Sequence, residues 1–177
     1  MIEPWFQILP GRNRDNVICP RDLPMDNYPA IMTLDKFLML RDKVTHYEYN
    51  DALRMPSVIF SPTFLIADSL RRIFAKLQPE IKFKAVQFFA DDGDEQKPMP
   101  LYWVPFYPVS ECFLHEKTQY IMGRTEKPVL AAKYLEGMHL LVIPLKGQLL
   151  WLASLTAAER FLQQGVTGIQ LKPVPIL

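Results

Sequence analysis

The densest set of reactive side chains falls at Glu111, Cys112, His115 and Glu116. A metal site needs three or four such groups converging. On a strand, Glu111 and His115 would share a face and Cys112 would turn away; on a helix, Cys112 would meet His115 or Glu116. Either arrangement needs His46 or His139 to complete it, and the spacing matches no zinc pattern, so neither a metal nor another cofactor is expected. A small enzyme built on Cys112 and His115 would need an activated thiolate and an oxyanion hole. No glycine-rich turn follows Cys112, and a structural cysteine is the plainer reading. The pair stands as the enzymatic alternative.

Two further groups bear on binding. Asp91, Asp92, Asp94 and Glu95 surround Gly93. They lack the wider spacing of a calcium-binding loop and read first as a solvated turn; as a surface they would attract a basic partner. Tyr102, Trp103, Phe106 and Tyr107 lie among Pro100, Pro105 and Pro108. They read either as a bent strand burying one aromatic face or, if exposed together, as a stacking surface for a protein partner. These eight residues are the candidate partner-binding set. Phosphate loops of the GxGxxG or GxxxxGK[ST] kind are absent.

Composition narrows the class. The chain has 177 residues, 49% hydrophobic and 22% charged, with 20 basic and 19 acidic side chains and a net charge of +1. That suits a single domain, residues 1–177, and lacks the basic excess of a nucleic-acid binder. Arg71, Arg72 and Lys76 read as the solvated face of a helix. With two cysteines, no signal-like N-terminus and no run near ~18 apolar residues, the expectation is a cytoplasmic protein that does not enter a membrane.

The elements that must position these groups are short, because 16 prolines interrupt strands and helices alike. Residues 10–30 read as a proline-rich irregular arm within the domain. Strands are expected at Trp5–Leu9, Val44–Tyr49 (an edge), Val58–Phe60, Ile81–Phe89, Leu101–Val109 (edge-type or bent), Gln119–Met122, Val129–Tyr134 and Thr167–Val174. Residues 139–143 and 149–153 read as a hairpin around Lys146-Gly147. Thr33 caps a short helix. Ala67, Leu70, Ile73, Phe74 and Leu77 form the stripe of a second helix, capped by Asp68 or Ser61. Thr156-Ala157-Ala158-Glu159 reads as a capping box over a helix at 156–164, closed by Gly165. The sum is an α+β fold, a mostly antiparallel sheet with a few helices packed on it.

One resemblance rests on Lys127-Pro128-Val129-Leu130, Trp151-Leu152-Ala153-Ser154, the helix with Ala158-Glu159-Arg160, and Gly165-Val166-Thr167-Gly168 running on to Pro173-Val174. This order resembles the C-terminal end of a bacterial family of immunity proteins from polymorphic toxin systems, first catalogued as a domain of unknown function. Phe64–Pro79 followed by Phe83–Phe88 is similar to the middle of that family. Residues 1–60 add little to it. The resemblance implies a non-catalytic protein that binds and neutralises a cognate toxin domain, with no catalytic residues to carry over. An adaptor subunit with another protein partner is the further alternative. Nothing in the sequence fixes an oligomeric state.

Overall fold

A computed structural model describes residues 3–13, 15–23, 33–107, 112–122, 124–145 and 148–177. In chain order the elements are β1 (Trp5–Pro10), α1 (Leu34–Met39), β2 (Lys43–Tyr47), β3 (Val58–Ile59), β4 (Leu65–Ala67), α2 (Asp68–Leu77), β5 (Lys82–Ala90), β6 (Leu101–Phe106), β7 (Gln119–Ile121), β8 (Arg124–Lys127), β9 (Leu140–Leu145), β10 (Gln148–Ser154), α3 (Leu155–Gln163) and β11 (Ile169–Val174). Single 3-10 turns occupy His115–Lys117 and Ala132–Tyr134. The α+β class is as expected, with most strands divided between two main sheets and β7–β8 paired apart from both. One has the order β11-β1-β10-β9 and is antiparallel throughout; the other has the order β2-β5-β6-β4-β3 and is antiparallel except for the β2–β5 pair.

Alternation along the strands explains the layering. Trp151 and Ala153 of β10 face a central core, while Leu150 and Leu152 face the opposite side. Val142 and Leu141 of β9 divide in the same way. Both faces of this sheet are therefore covered, and its inner strands read as near-continuous apolar runs. Across the central core, Val58 and Ile66 of the second sheet meet Ile8 and Trp151 of the first, with Leu70 and Phe74 of α2 and Phe161 of α3 packed among them. The Phe64 and Trp151 rings stack at 3.8 Å and 13° between the two sheets. On its outer face the second sheet buries Tyr47, Val86, Phe88, Tyr102 and Phe106 against Phe37 and Ile18.

Several boundaries depart from the sequence reading, each for a physical reason. Leu101–Phe106 is the central strand of five, not an edge. It tolerates Pro105 because β4 pairs only with Tyr102 and Trp103, so the position lacking an N–H lies past the end of β4. Pro108 and Val109 lie outside the described residues. The stretch 129–134 is not a strand: Leu130 forms single bridges to Phe113 and Ile176, and the chain then turns in a 3-10 helix. Helix α2 is capped by neither Asp68 nor Ser61. It starts at Asp68 after an extended Ala67, and Ser61-Pro62 is a cis peptide in the preceding bend. Helix α3 starts earlier than the capping box implies. Ser154 is its cap, accepting the Ala157 amide at 3.3 Å.

Other features are as read. Thr33 caps α1, β2 lies at a sheet edge, and β9 pairs with β10, with 146–147 outside the described residues. Of the arm, 24–30 is outside the described residues. Its earlier part is held by Arg54, which donates to the Asn13 and Asp15 carbonyls and bridges Val17.

The stretch Gly165–Gly168 is a splice between the two sheets. Gly165, at φ +62°, ends α3 in the left-handed conformation. Its amide bonds to the Leu162 carbonyl at 3.1 Å and the Val166 amide to the Phe161 carbonyl at 3.0 Å, which is the Schellman pattern. Thr167 and Ser57 exchange amide-to-hydroxyl bonds at 3.1 and 3.0 Å. Gly168, at φ +83°, lets β11 pass against the chain entering β3: a Cβ there would sit 2.6 Å from the Pro56 Cβ and 2.8 Å from the Val58 oxygen.

Candidate functional site

The four aromatics, read as a stacking surface only if exposed together, are not exposed together. Tyr102, Phe106 and Tyr107 are buried and Trp103 is half-buried. Tyr102 donates to the Pro56 carbonyl at 2.8 Å, and burial pushes its hydroxyl pKa well up. Phe106 packs on Phe37. Tyr107 lies against Trp151 and Phe74, and burial raises its pKa too. Trp103 is covered from within, since its Nε1–H donates to Asp68 at 3.0 Å and the Arg71 guanidinium lies 4.5 Å from its ring centre. Phe37 and Ile18 cover one face of β6, and α2 covers Trp103 on the other. Arg71 and Arg72 both pair with Asp68, and these bonds, Arg71's foremost, hold its carboxyl below the usual range.

The acidic loop joins β5 to β6, and its exposed charges are partly matched from inside. Asp91 pairs with Arg21 at 2.6 Å. Asp92 pairs with Lys97, and that hydrogen bond lowers the Asp92 pKa. The Asp92 and Asp94 carboxylates also accept the amides of Asp94 and Gln96, closing successive turns. Glu95 is exposed. The loop is built as a self-contained turn, with two of its four acids already paired.

The Cys112–His115 pair is divided by the surface. Cys112 is fully buried among Trp5, Leu130 and Leu141, whereas His115 and Glu116 stand on an exposed 3-10 turn. The thiol is closed off from solvent, and the imidazole that would activate it stands on the exposed turn against Phe113 and Tyr120. Glu111 lies outside the described residues. His46 is near Asp22 on β2 and His139 is near Glu3, so neither joins Cys112. Among the described residues no three His, Cys, Asp or Glu side chains come together to hold a metal, and no helix is long and apolar enough to cross a membrane.

Two arrangements were not legible in the sequence. The first gathers Glu3, His139, Ser154 and Thr156 at the start of α3, beside a cleft of about 610 Å³. Burial opposes the Glu3 charge, but hydrogen bonds from the Thr156 hydroxyl (2.7 Å) and amide (2.8 Å) outweigh it and lower its pKa. The residue types are those of a hydrolase triad, yet Ser154 Oγ (3.0 Å) and Glu3 (3.4 Å) both approach Nδ1 of His139. A triad needs the hydroxyl and the carboxylate on opposite ring nitrogens. Ser154 is also buried and committed to its cap. The cluster closes the first turn of a helix.

The second arrangement is the hairpin β7–β8, which pairs with neither main sheet. Every residue of β7 is exposed, and Tyr120, Ile121 and Met122 are 46%, 53% and 99% accessible. The hairpin is anchored at its base: Tyr120 hydroxyl lies 3.1 Å from His115 Nδ1, and His115 stands edge-on to buried Phe113 at 4.6 Å. The sequence gives β7 as a strand. Its partner is hidden because Arg124-Thr125-Glu126-Lys127 carries no apolar alternation. Searched against protein-family profiles and curated proteins, the chain matches none.

Proposed function

We propose that the chain is a non-catalytic protein-binding domain, and specifically an immunity protein that occludes a bacterial toxin domain in the cytoplasm. One observation carries the binding reading: an apolar strand and turn, Tyr120-Ile121-Met122, held out on a hairpin that belongs to neither sheet. A two-stranded hairpin is marginal by itself in water, and clustered exposed aromatic and aliphatic side chains are the usual anchors of protein interfaces. The separation of buried Cys112 from exposed His115 supports the same reading against an enzyme built on that pair. The toxin as partner rests on the resemblance in 64–88 and 127–174.

The test is co-expression with the toxin domain encoded beside this gene. Survival of the host and co-purification of the two proteins are expected. Neither rescue nor complex would sink the reading. A stable complex with a different protein, without rescue, would instead favour an adaptor.

A further inference from the structure

Resting on that binding reading, we propose that Met122 is the specificity-determining contact, a knob that enters an apolar pocket with an acidic rim on the partner protein. Ile121 pairs with Arg124, so two residues connect the strands, and the first of them, Met122, has φ +48°. Two-residue hairpin connections favour Asn, Asp or Gly at such a position, because other side chains clash there with their own backbone. Met122 gains nothing within the chain to offset this, being almost wholly in solvent. Strain together with full exposure is what a contact residue would show if it served a partner rather than the fold. An unbranched thioether also suits an irregular apolar pocket.

The surroundings define the pocket. Ile121 and Tyr120 extend the apolar surface, and the Tyr120–His115–Phe113 chain of contacts ties it to the core. Lys117 and Lys127 are exposed at the hairpin base, and among the described residues neither has an ion-pair partner. From Glu116 to Lys127 the sequence sets Lys117, Arg124 and Lys127 against Glu116 and Glu126, a net charge of +1. The excess is cationic, so the complementary rim is acidic.

The experiment uses the full chain and the neighbouring toxin domain. Thermal melting and calorimetric titration are run on the wild type, Met122→Asn and the double variant Lys117→Glu/Lys127→Glu. Asn accepts the left-handed conformation, so M122N should melt at the same temperature or higher. It should nevertheless bind the toxin at least about tenfold more weakly. The double variant should associate more slowly, with a weaker salt dependence. A lowered melting temperature for M122N, or unchanged affinity, overturns the proposal and leaves the binding reading standing. A double variant that associates as fast as the wild type overturns the acidic rim. A wild-type dimer that M122N dissolves assigns the knob to a second copy and also overturns it. A wild type that does not bind the toxin overturns this proposal and the binding reading together.

Discussion

Glu3 closes the first turn of α3 from 153 residues away. Its carboxylate takes the Thr156 amide and hydroxyl, while Ser154 takes the Ala157 amide. Both acceptors satisfy donors that the helix cannot satisfy itself, and a negative charge there is attracted to the positive end of the helix dipole. Glu3→Ala should therefore cost about 1 kcal/mol at neutral pH. The folded-state pKa of Glu3 lies below its ordinary value of 4.5. Its contribution is thus complete above pH 4.5 and is lost as pH falls through the lowered folded value. Urea denaturation at pH 7 and pH 3 checks this: the gap between wild type and variant should be present at the first and shrink at the second. Local chemistry in the sequence was legible at this scale where partners are near. Thr33 and Gly165 did what their positions implied. At 154–159 the pattern Thr-x-x-Glu masks the true cap, Ser154, two residues upstream, and the Thr156 hydroxyl is drawn instead to Glu3, which nothing local announces.

At the scale of elements, α2 is joined to β9 by one buried side chain. Gln78, just past the helix end, accepts the His139 amide at 3.1 Å and the Leu140 amide at 2.9 Å. These donors open strand β9, where no neighbouring strand is placed to accept both. Gln78→Leu keeps the volume and removes the acceptor, leaving two amides short of partners, so a loss of about 2–4 kcal/mol in chemical denaturation is expected. Strands were legible where burial writes a pattern, as at 140–145 and 148–154. They were misjudged where one residue argued locally against the tertiary outcome. Pro105 made β6 look like an edge, although its position beyond β4 makes the proline harmless. Only β7 of the hairpin 119–127 is legible, since 124–127 carries no hydrophobic period. The surface at 120–122 is illegible in the sequence for the same reason, whereas the aromatics of 102–107 stand out there and are mostly buried in the fold.

For the molecule as a whole, the two sheets share one core and are spliced at Thr167–Gly168. Gly168→Ala would place a methyl against Pro56 and the Val58 oxygen and hold it at an unfavourable φ. A loss of about 2–4 kcal/mol is expected, in one transition seen alike by far-UV circular dichroism and tryptophan fluorescence. Separate transitions for the two signals would show that the sheets unfold independently. The splice also gives a structural reason for the very residues that carry the resemblance. Gly165, Val166, Thr167 and Gly168 each have a task in ending α3 or joining the sheets, so this fold alone accounts for their residue types. The strand order has a consequence for how the protein is made. β1 is synthesised well before both of its neighbours, β10 and β11, which lie in residues 148–174. Until those residues have been synthesised, β1 has two bare edges and Trp5 has no cover from them. The first sheet must therefore assemble late, and the nascent chain carries an unpaired apolar strand while residues 11–147 are made, the stretch in which a chaperone would hold it.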